Sequence, residues 1–286
     1  MCKIDVEVQK SVKAQFDLTD RVCVVTGGAG FLGAQFAESL AEMGAHPVLW
    51  DLVPEAAGKV CERIRQQWGK CEWRRVDVTD LDAIRLAVKD VLETHGHIDV
   101  LINNAALTKY GCDADPDSFF APFEETNPAV WQAGLTVNLT GVALCCQVIG
   151  PAMVKRRKGS IINIGSDVGV ISPDQRIYQS DEKSGYTGMN FNIPAFYSVS
   201  KGGVIQLTKY LATLWAPNNV RVNAFSPAGV YRNHDPSFVQ RLTERIPMGR
   251  MGMENEYKGA IVFLASDASS YMTGHNLIMD GGRTVW

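Results

Sequence analysis

Hydrophobic positions along the chain alternate between two rhythms. Residues 22–25 (VCVV) are an unbroken apolar run closed by glycines, the pattern of a strand buried on both faces of a parallel sheet. In the next stretch, GAQFAESLAEMG, Ala34, Ala37, Leu40 and Ala41 share one face, Glu38 and Glu42 lie off it, and Gly44 supplies a stop. That spacing predicts a helix. The alternation repeats with PVLWD (47–51), a helix to about Gln67, WRRVDV (73–78), and a helix over 81–94 with Leu81, Ile84, Val88, Val91 and Leu92 on one face. Asp80 is placed to cap this helix and Gly96 to end it. IDVLINNAA (98–106) follows, then a long helix opened by Asn127 and Pro128, and the strand SIINIGS (160–166). A helix over about 195–215, the strand VRVNAFSP, a helical stretch to about 266 and the strand NLIMDGG complete the series.

Strands alternating with helices predict an α/β fold, a single Rossmann domain with a doubly wound, mostly parallel seven-stranded sheet and helices on both faces. A chain of 286 residues, 46% hydrophobic, can bury one sizeable core. Residues 16–286 read as that domain, and residues 1–15 as a tail outside it. The tail lacks the apolar segment of an export signal, and no apolar run reads as long enough to span a bilayer. A net charge of -3 without a basic stripe argues against nucleic acid or an anionic membrane as partner. The seven cysteines are odd in number, lack ligand spacing and lie mostly in apolar stretches. They predict reduced thiols in a cytoplasmic protein, with no metal site. His46, His95, His97, His234 and His275 are scattered, and KRRK (155–158) complements a helix C-terminus.

The candidate chemistry begins with TGGAGFLG (26–33), set between a predicted strand and a predicted helix. There, backbone N–H groups and the helix dipole can jointly hold a pyrophosphate. Gly27 can make the tight turn, Gly30 lets the backbone approach the phosphates, and Gly33 allows the helix to pack on the sheet; Phe31 and Leu32 complete the loop. Asp51, with Leu52 beside it, stands 18 residues after Gly33, where a ribose-binding acid is expected. Its carboxylate would accept both ribose hydroxyls and repel a 2′-phosphate. The glycine loop has no Arg or Lys to offset that repulsion, so NAD is expected rather than NADP. Tyr197 and Lys201 are four apart on one helix face. A nearby ammonium would bring the phenol towards a working range as an acid or base. Alone, the pair reads better as a solvated surface pair. Asn138 and Ser166 are polar residues among apolar neighbours.

In combination these features resemble the short-chain dehydrogenase/reductase family over nearly the whole chain. The resemblance rests on TGGAGFLG, Asp77-Val78, NNAA (103–106), Asn138 in VNLTG, Ser166 ending INIGS, YSVSK (197–201) and SPAG (226–229). It implies Tyr197 as general acid/base, Ser166 as hydrogen-bond partner of the reacting oxygen, Lys201 on the nicotinamide ribose, and Asn138 anchoring a relay water. Asp77 and Val78 would contact adenine, while Asn104, Ala105 and Ala106 would line its ribose. Pro227, Gly229 and Val230 would lie along the carboxamide. The implied activity is NAD(H)-dependent hydride transfer between nicotinamide and a secondary alcohol or ketone. A homotetramer is expected through the helices around 128–152 and 195–215, with a dimer as the alternative.

The chain departs from the compact branch of that family in three ways. The glycines fit TGxxGxxG, as in the extended, sugar-nucleotide-processing branch, with Phe31 where compact members carry glycine. NNAG becomes NNAA, and an alanine enters PG as Pro227-Ala228-Gly229. The distance from Ser166 to Tyr197, 31 positions, is long. The extra segment, about 171–194, is polar with Tyr178, Tyr186 and Phe191, and reads as a substrate lid or wall, or else a surface or subunit-contact loop. A polar wall with aromatic platforms suits a small polyhydroxylated substrate such as a sugar, sugar acid or polyol. An NAD-retaining epimerase or dehydratase is favoured by the glycine spacing and opposed by the short chain after Lys201. A non-catalytic NAD-binding regulator is opposed by the intact Asn138, Ser166, Tyr197 and Lys201.

Overall fold

The computed structural model describes residues 11–107, 119–178 and 192–286. Seven strands, β1 (Val22–Thr26), β2 (His46–Asp51), β3 (Glu72–Arg75), β4 (Val100–Asn103), β5 (Gly159–Ile164), β6 (Val220–Pro227) and β7 (Asn276–Met279), form one sheet. Their order is β3-β2-β1-β4-β5-β6-β7, and every neighbouring pair is parallel. The helices are α1 (Val12–Gln15), α2 (Phe31–Glu42), α3 (Pro54–Trp68), α4 (Leu81–His95), α5 (Pro128–Arg156), α6 (Ala195–Trp215), α7 (Pro236–Thr243) and α8 (Lys258–Ala265). The expected doubly wound sheet is therefore present, and its winding reverses between β1 and β4.

Strand alternation divides the core. Cys23 and Val25 of β1 pack with α2, α3 and α8 on one face, while Val22 and Val24 pack with α4, α5 and α6 on the other. This is why β1 reads as uniformly apolar: both of its faces are covered. The predicted caps of α4 form as expected. Asp80 accepts from the N–H groups of Asp82 and Ala83, and Gly96 takes the left-handed conformation that ends the helix.

The elements differ from the sequence pattern in two places. β3 stops at Arg75, so Val76, Asp77 and Val78 leave the sheet and run into the cleft above it. Helix α5 has a π turn at Thr136–Thr140 between the α segments Pro128–Leu135 and Gly141–Arg156. Helix α5 is long and apolar enough by length and composition alone to cross a membrane, as the core helix of a globular domain also can be. Its apolar surface has a use in this fold: α5 packs on β5 with α4 and α6 beside it.

Asp99, just before β4, ties the lower end of the sheet together. Its buried carboxylate accepts from the Val22 N–H at 3.0 Å and from Arg156 Nη1 at 3.0 Å, with His97 Nε2 3.1 Å away. One side chain thus joins β1, β4 and α5. Asp99→Ala is expected to lower the unfolding free energy by about 2–3 kcal/mol, because it strands a buried N–H and the Arg156 charge. Asp99→Asn, which keeps an acceptor, should lose less. Urea denaturation of both variants checks this, and equal losses would show that the charge alone matters.

Candidate active site

The C-terminal ends of the strands open into a cleft of about 890 Å³. All of the expected site residues line it except Gly33 and Asn138. Those two act from behind the surface. Gly33 lies so close under the Gly27 carbonyl that a Cβ there would collide with it, and Gly27 itself has φ +59 with its Cα face against Ala105. The loop can therefore close only with glycine at both positions. It delivers the chain into α2, whose N-cap Gly30 makes no side-chain cap hydrogen bond, leaving first-turn N–H groups facing the cleft.

Two neighbours fix this cradle. Thr26 Oγ1 accepts from the N–H groups of Asn104 and Ala105, each at 3.0 Å, and Asn104 Nδ2 donates back to the carbonyls of Thr26 and Gly27. Asp51 accepts from the Ala29 N–H through Oδ2 at 2.9 Å and from the Val53 N–H through Oδ1 at 3.0 Å. Its carboxylate is held at the end of β2 with acceptor capacity to spare. Asp77 uses Oδ1 on the N–H and hydroxyl of Thr79, which sets the turn after β3. The glycine loop carries no cation of its own, but the fold brings Arg232 over the Phe31 ring at 4.1 Å from its centroid.

At the other end of the cleft, β5 delivers Ser166 and α6 delivers Tyr197 and Lys201. The turn after Ser166 lies flat against α6: a Cβ on Gly169 would stand 2.8 Å from the Lys201 carbonyl carbon. Ser166 and Tyr197 line the same end of the cleft, and Lys201 Nζ lies 5.7 Å from the Tyr197 ring centroid. Lys201 is buried and donates to the Ile164 carbonyl at 2.8 Å. Asn138 sits within the π turn of α5, fully buried; its Oδ1 accepts from the Leu107 N–H at 2.7 Å while Nδ2 has no partner among the described residues. Such single-turn π segments recur at functional sites because they displace one side chain from the helical row.

The electrostatics differ from the expectation that Lys201 lowers the Tyr197 pKa. Burial pushes the Tyr197 phenol up to about 12, the nearby Ser166 hydroxyl acts the other way, and the Asp167 carboxylate raises it further. Burial also pulls Lys201 down to about 8. Desolvation dominates both groups in this cleft.

Sequence reasoning missed the groups that surround this end. Ser166 Oγ donates to Asp167 Oδ1 at 2.9 Å, and Asp167 Oδ2 accepts from Arg283 Nη1 in a buried ion pair. Asp167 could have been noticed as a carboxylate beside a reactive serine, but Arg283 lies 116 positions away. Phe119 and Phe120 also line the cleft. The described arms of the insertion contribute Tyr178, one of the expected aromatic platforms, with Ile193 and Pro194 beside it. Gln175 closes their base by exchanging two hydrogen bonds with the Ile193 backbone. Tyr186 and Phe191 fall outside the described residues. Away from the cleft, His46 and His95, expected to be scattered, meet Glu72 Oε1 at 3.0 and 3.3 Å, a grouping that could also hold a metal ion.

A depressed lysine pKa has a signed consequence for stability. Lys201 falls from 10.5 to about 8 on folding, so between those values the unfolded chain binds a proton that the folded chain does not. Stability from this group therefore rises with pH across that window. Unfolding free energies of the protein and of Lys201→Met, compared between about pH 8 and 10, should diverge in favour of the lysine form as pH rises. A constant difference would show that the lysine is not depressed.

Comparison with known proteins agrees with this geometry. Residues 28–284 match the family model described as Enoyl-(Acyl carrier protein) reductase. The chain is 34% identical to a 3-oxoacyl-[acyl-carrier-protein] reductase of Thermotoga maritima, over 94% of this chain and 99% of that one. It is 31% identical to D-threitol dehydrogenase of Mycolicibacterium smegmatis, over 96% and 97% respectively. A gluconate 5-dehydrogenase from Burkholderia cenocepacia J2315, solved with NADP and tartrate, superposes with a TM-score of 0.83 at 29% identity, covering 96% of this chain and all of that one. A NAD+-bound xylitol dehydrogenase superposes with a TM-score of 0.80 at 30% identity, covering 93% and 99%. The chain therefore belongs to the short-chain dehydrogenase/reductase family, oxidoreductases of alcohols and ketones that use a nicotinamide cofactor.

Proposed function

We propose that the protein is an NAD(H)-dependent dehydrogenase or ketone reductase of a small polyhydroxylated substrate: a sugar, sugar acid or polyol. The observation that carries this reading is the cleft itself, which has a glycine cradle and Asp51 at one end and Ser166, Tyr197 and Lys201 at the other. The residues fit a dinucleotide. The α2 N-terminus and Gly27–Gly33 would hold its pyrophosphate, Asp51 its adenosine ribose, and Pro227, Gly229 and Val230 its carboxamide. When bound, the nicotinamide supplies or accepts the hydride.

The protein's own groups handle the proton. Tyr197, kept protonated by burial, is suited to give its proton to a carbonyl oxygen, and in the reverse direction its phenolate would take the proton of the alcohol and return to the phenol. Ser166 would hold that same oxygen, with its hydroxyl direction governed by Asp167. Asn138 Nδ2, without a partner among the described residues, has the donor needed to hold a water behind Lys201. NAD is favoured by the fixed Asp51 carboxylate, whose charge opposes a 2′-phosphate. Phe119, Phe120 and Tyr178 offer apolar platforms for the C–H faces of a polyol, in keeping with the D-threitol and xylitol enzymes among its relatives. The exposed row Val199, Tyr210 and Leu214 on α6 supports assembly through that helix into a homotetramer.

Absorbance at the NADH band with a panel of polyols, sugars, sugar acids and 3-oxoacyl thioesters tests the substrate class. Net NADH with a polyol or sugar supports the proposal. Turnover confined to thioesters, or product formed without net NADH, overturns it. Tyr197→Phe should lower kcat by about 10²–10⁴-fold while leaving NAD binding intact. Asp51→Ala should raise KM for NAD and narrow its advantage over NADP, and an unchanged preference would remove Asp51 from cofactor selection.

A further inference from the structure

Among the described cysteines, three are chemically quiet. Cys23, Cys145 and Cys146 are buried in the two halves of the core, and burial raises the pKa of each thiol, to about 12 for Cys146. Cys61 and Cys71 are different. Cys61 lies on α3 and Cys71 immediately precedes β3, at the end of the sheet away from the cleft. Their Sγ atoms are 2.8 Å apart, well inside the contact distance of two unbonded sulfurs.

The backbone holds them there. Gly69, with φ 92, ends α3 and turns the chain back, so that Cys71 returns beside the helix it has just left. Arg65, one turn after Cys61 on the same helical face, donates through Nε to the Cys71 carbonyl at 2.7 Å. Two separate contacts therefore set the approach of Cys71 to α3, and a disulfide bond of about 2.0 Å needs the sulfurs only about 0.8 Å closer. Hydrogen bonding from Cys71 also lowers the Cys61 pKa, with the Arg65 charge adding to it, whereas the Cys71 thiol is raised. Cys61 is thus the thiol better able to react as thiolate.

We infer that Cys61 and Cys71 are an oxidative modification site that closes to an intrachain disulfide and pins α3 to the edge strand β3. A small hydroperoxide is the fitting oxidant, because both thiols are buried and hydrogen peroxide is little larger than water. The Cys61 sulfur attacks a peroxide oxygen, the O–O bond breaks, and hydroxide leaves, giving a sulfenic acid. The Cys71 sulfur then attacks the Cys61 sulfur; the S–S bond forms, the S–O bond breaks, and the departing oxygen leaves as water with the Cys71 proton. Two thiols and one hydrogen peroxide become one disulfide and two waters, and a dithiol reductant reverses the change.

The test needs no substrate. The folded full-length protein is treated with hydrogen peroxide, its free thiols are alkylated under denaturing conditions, and tryptic peptides are weighed. The expected product joins the peptides Val60–Arg63 and Cys71–Arg74, two hydrogen atoms lighter than their sum, and disappears after dithiothreitol. Oxidation should raise the Tm by about 3–5 °C, reversibly, and Cys61→Ser and Cys71→Ser should abolish both the linked peptide and the shift. Full alkylation of Cys61 and Cys71 after peroxide would overturn the inference. So would conversion of either to sulfinic acid without linkage, or a cross-link from either to a different cysteine.

Discussion

A parallel sheet wound outward in two directions must leave a gap where the winding reverses, and everything functional in this protein depends on how that gap is floored. The loops after β1 and β4 depart to opposite faces, so nothing in the ladder hydrogen bonds holds them together. Thr26 and Asn104 do so instead, through reciprocal hydrogen bonds between a hydroxyl, a side-chain amide and the backbone of both loops. The glycine cradle is shaped from below by that latch and from the side by the Asp51 carboxylate on the Ala29 N–H. The glycine cradle and the Asp51 carboxylate are therefore mechanically linked through a few atoms.

At the reacting end the governing quantity is desolvation. Tyr197 and Lys201 are both pushed towards their neutral forms, and the carboxylate of Asp167 beside them is balanced by Arg283 from the far end of the chain. That balance matters because an uncompensated buried carboxylate would raise the phenol further. Ser166 stands between the two systems: its hydroxyl donates to Asp167 Oδ1 and opposes the upward push of burial on the Tyr197 phenol. Its orientation is consequently tied to the Asp167–Arg283 ion pair.

Local patterning made much of this legible. The apolar run of β1, the helical spacing before Gly44, the cap at Asp80 and the pairing of Tyr197 with Lys201 each depend on residues a few positions apart, where period and capping chemistry act. What escaped depends on distance or on register. Arg283 reaches Asp167 across most of the C-terminal half, and Arg232 reaches Phe31 across the sheet, so no window contains either pair. The π turn carrying Asn138 changes the helical phase by one residue, which a periodic apolar pattern absorbs without a visible break. The polar middle of the insertion falls outside the described residues, and its described arms turn Ile177 and Tyr178 inward against Phe238 and Leu242 of α7.

Those arms are joined by one side chain. Gln175 accepts from the Ile193 N–H and donates to the Ile193 carbonyl, imitating a strand pairing between residues 18 positions apart. With the two ends clasped, the closure entropy of the intervening segment grows only slowly with its length. A change in the length of that segment therefore costs little in closure entropy so long as the Gln175–Ile193 clasp holds its two ends.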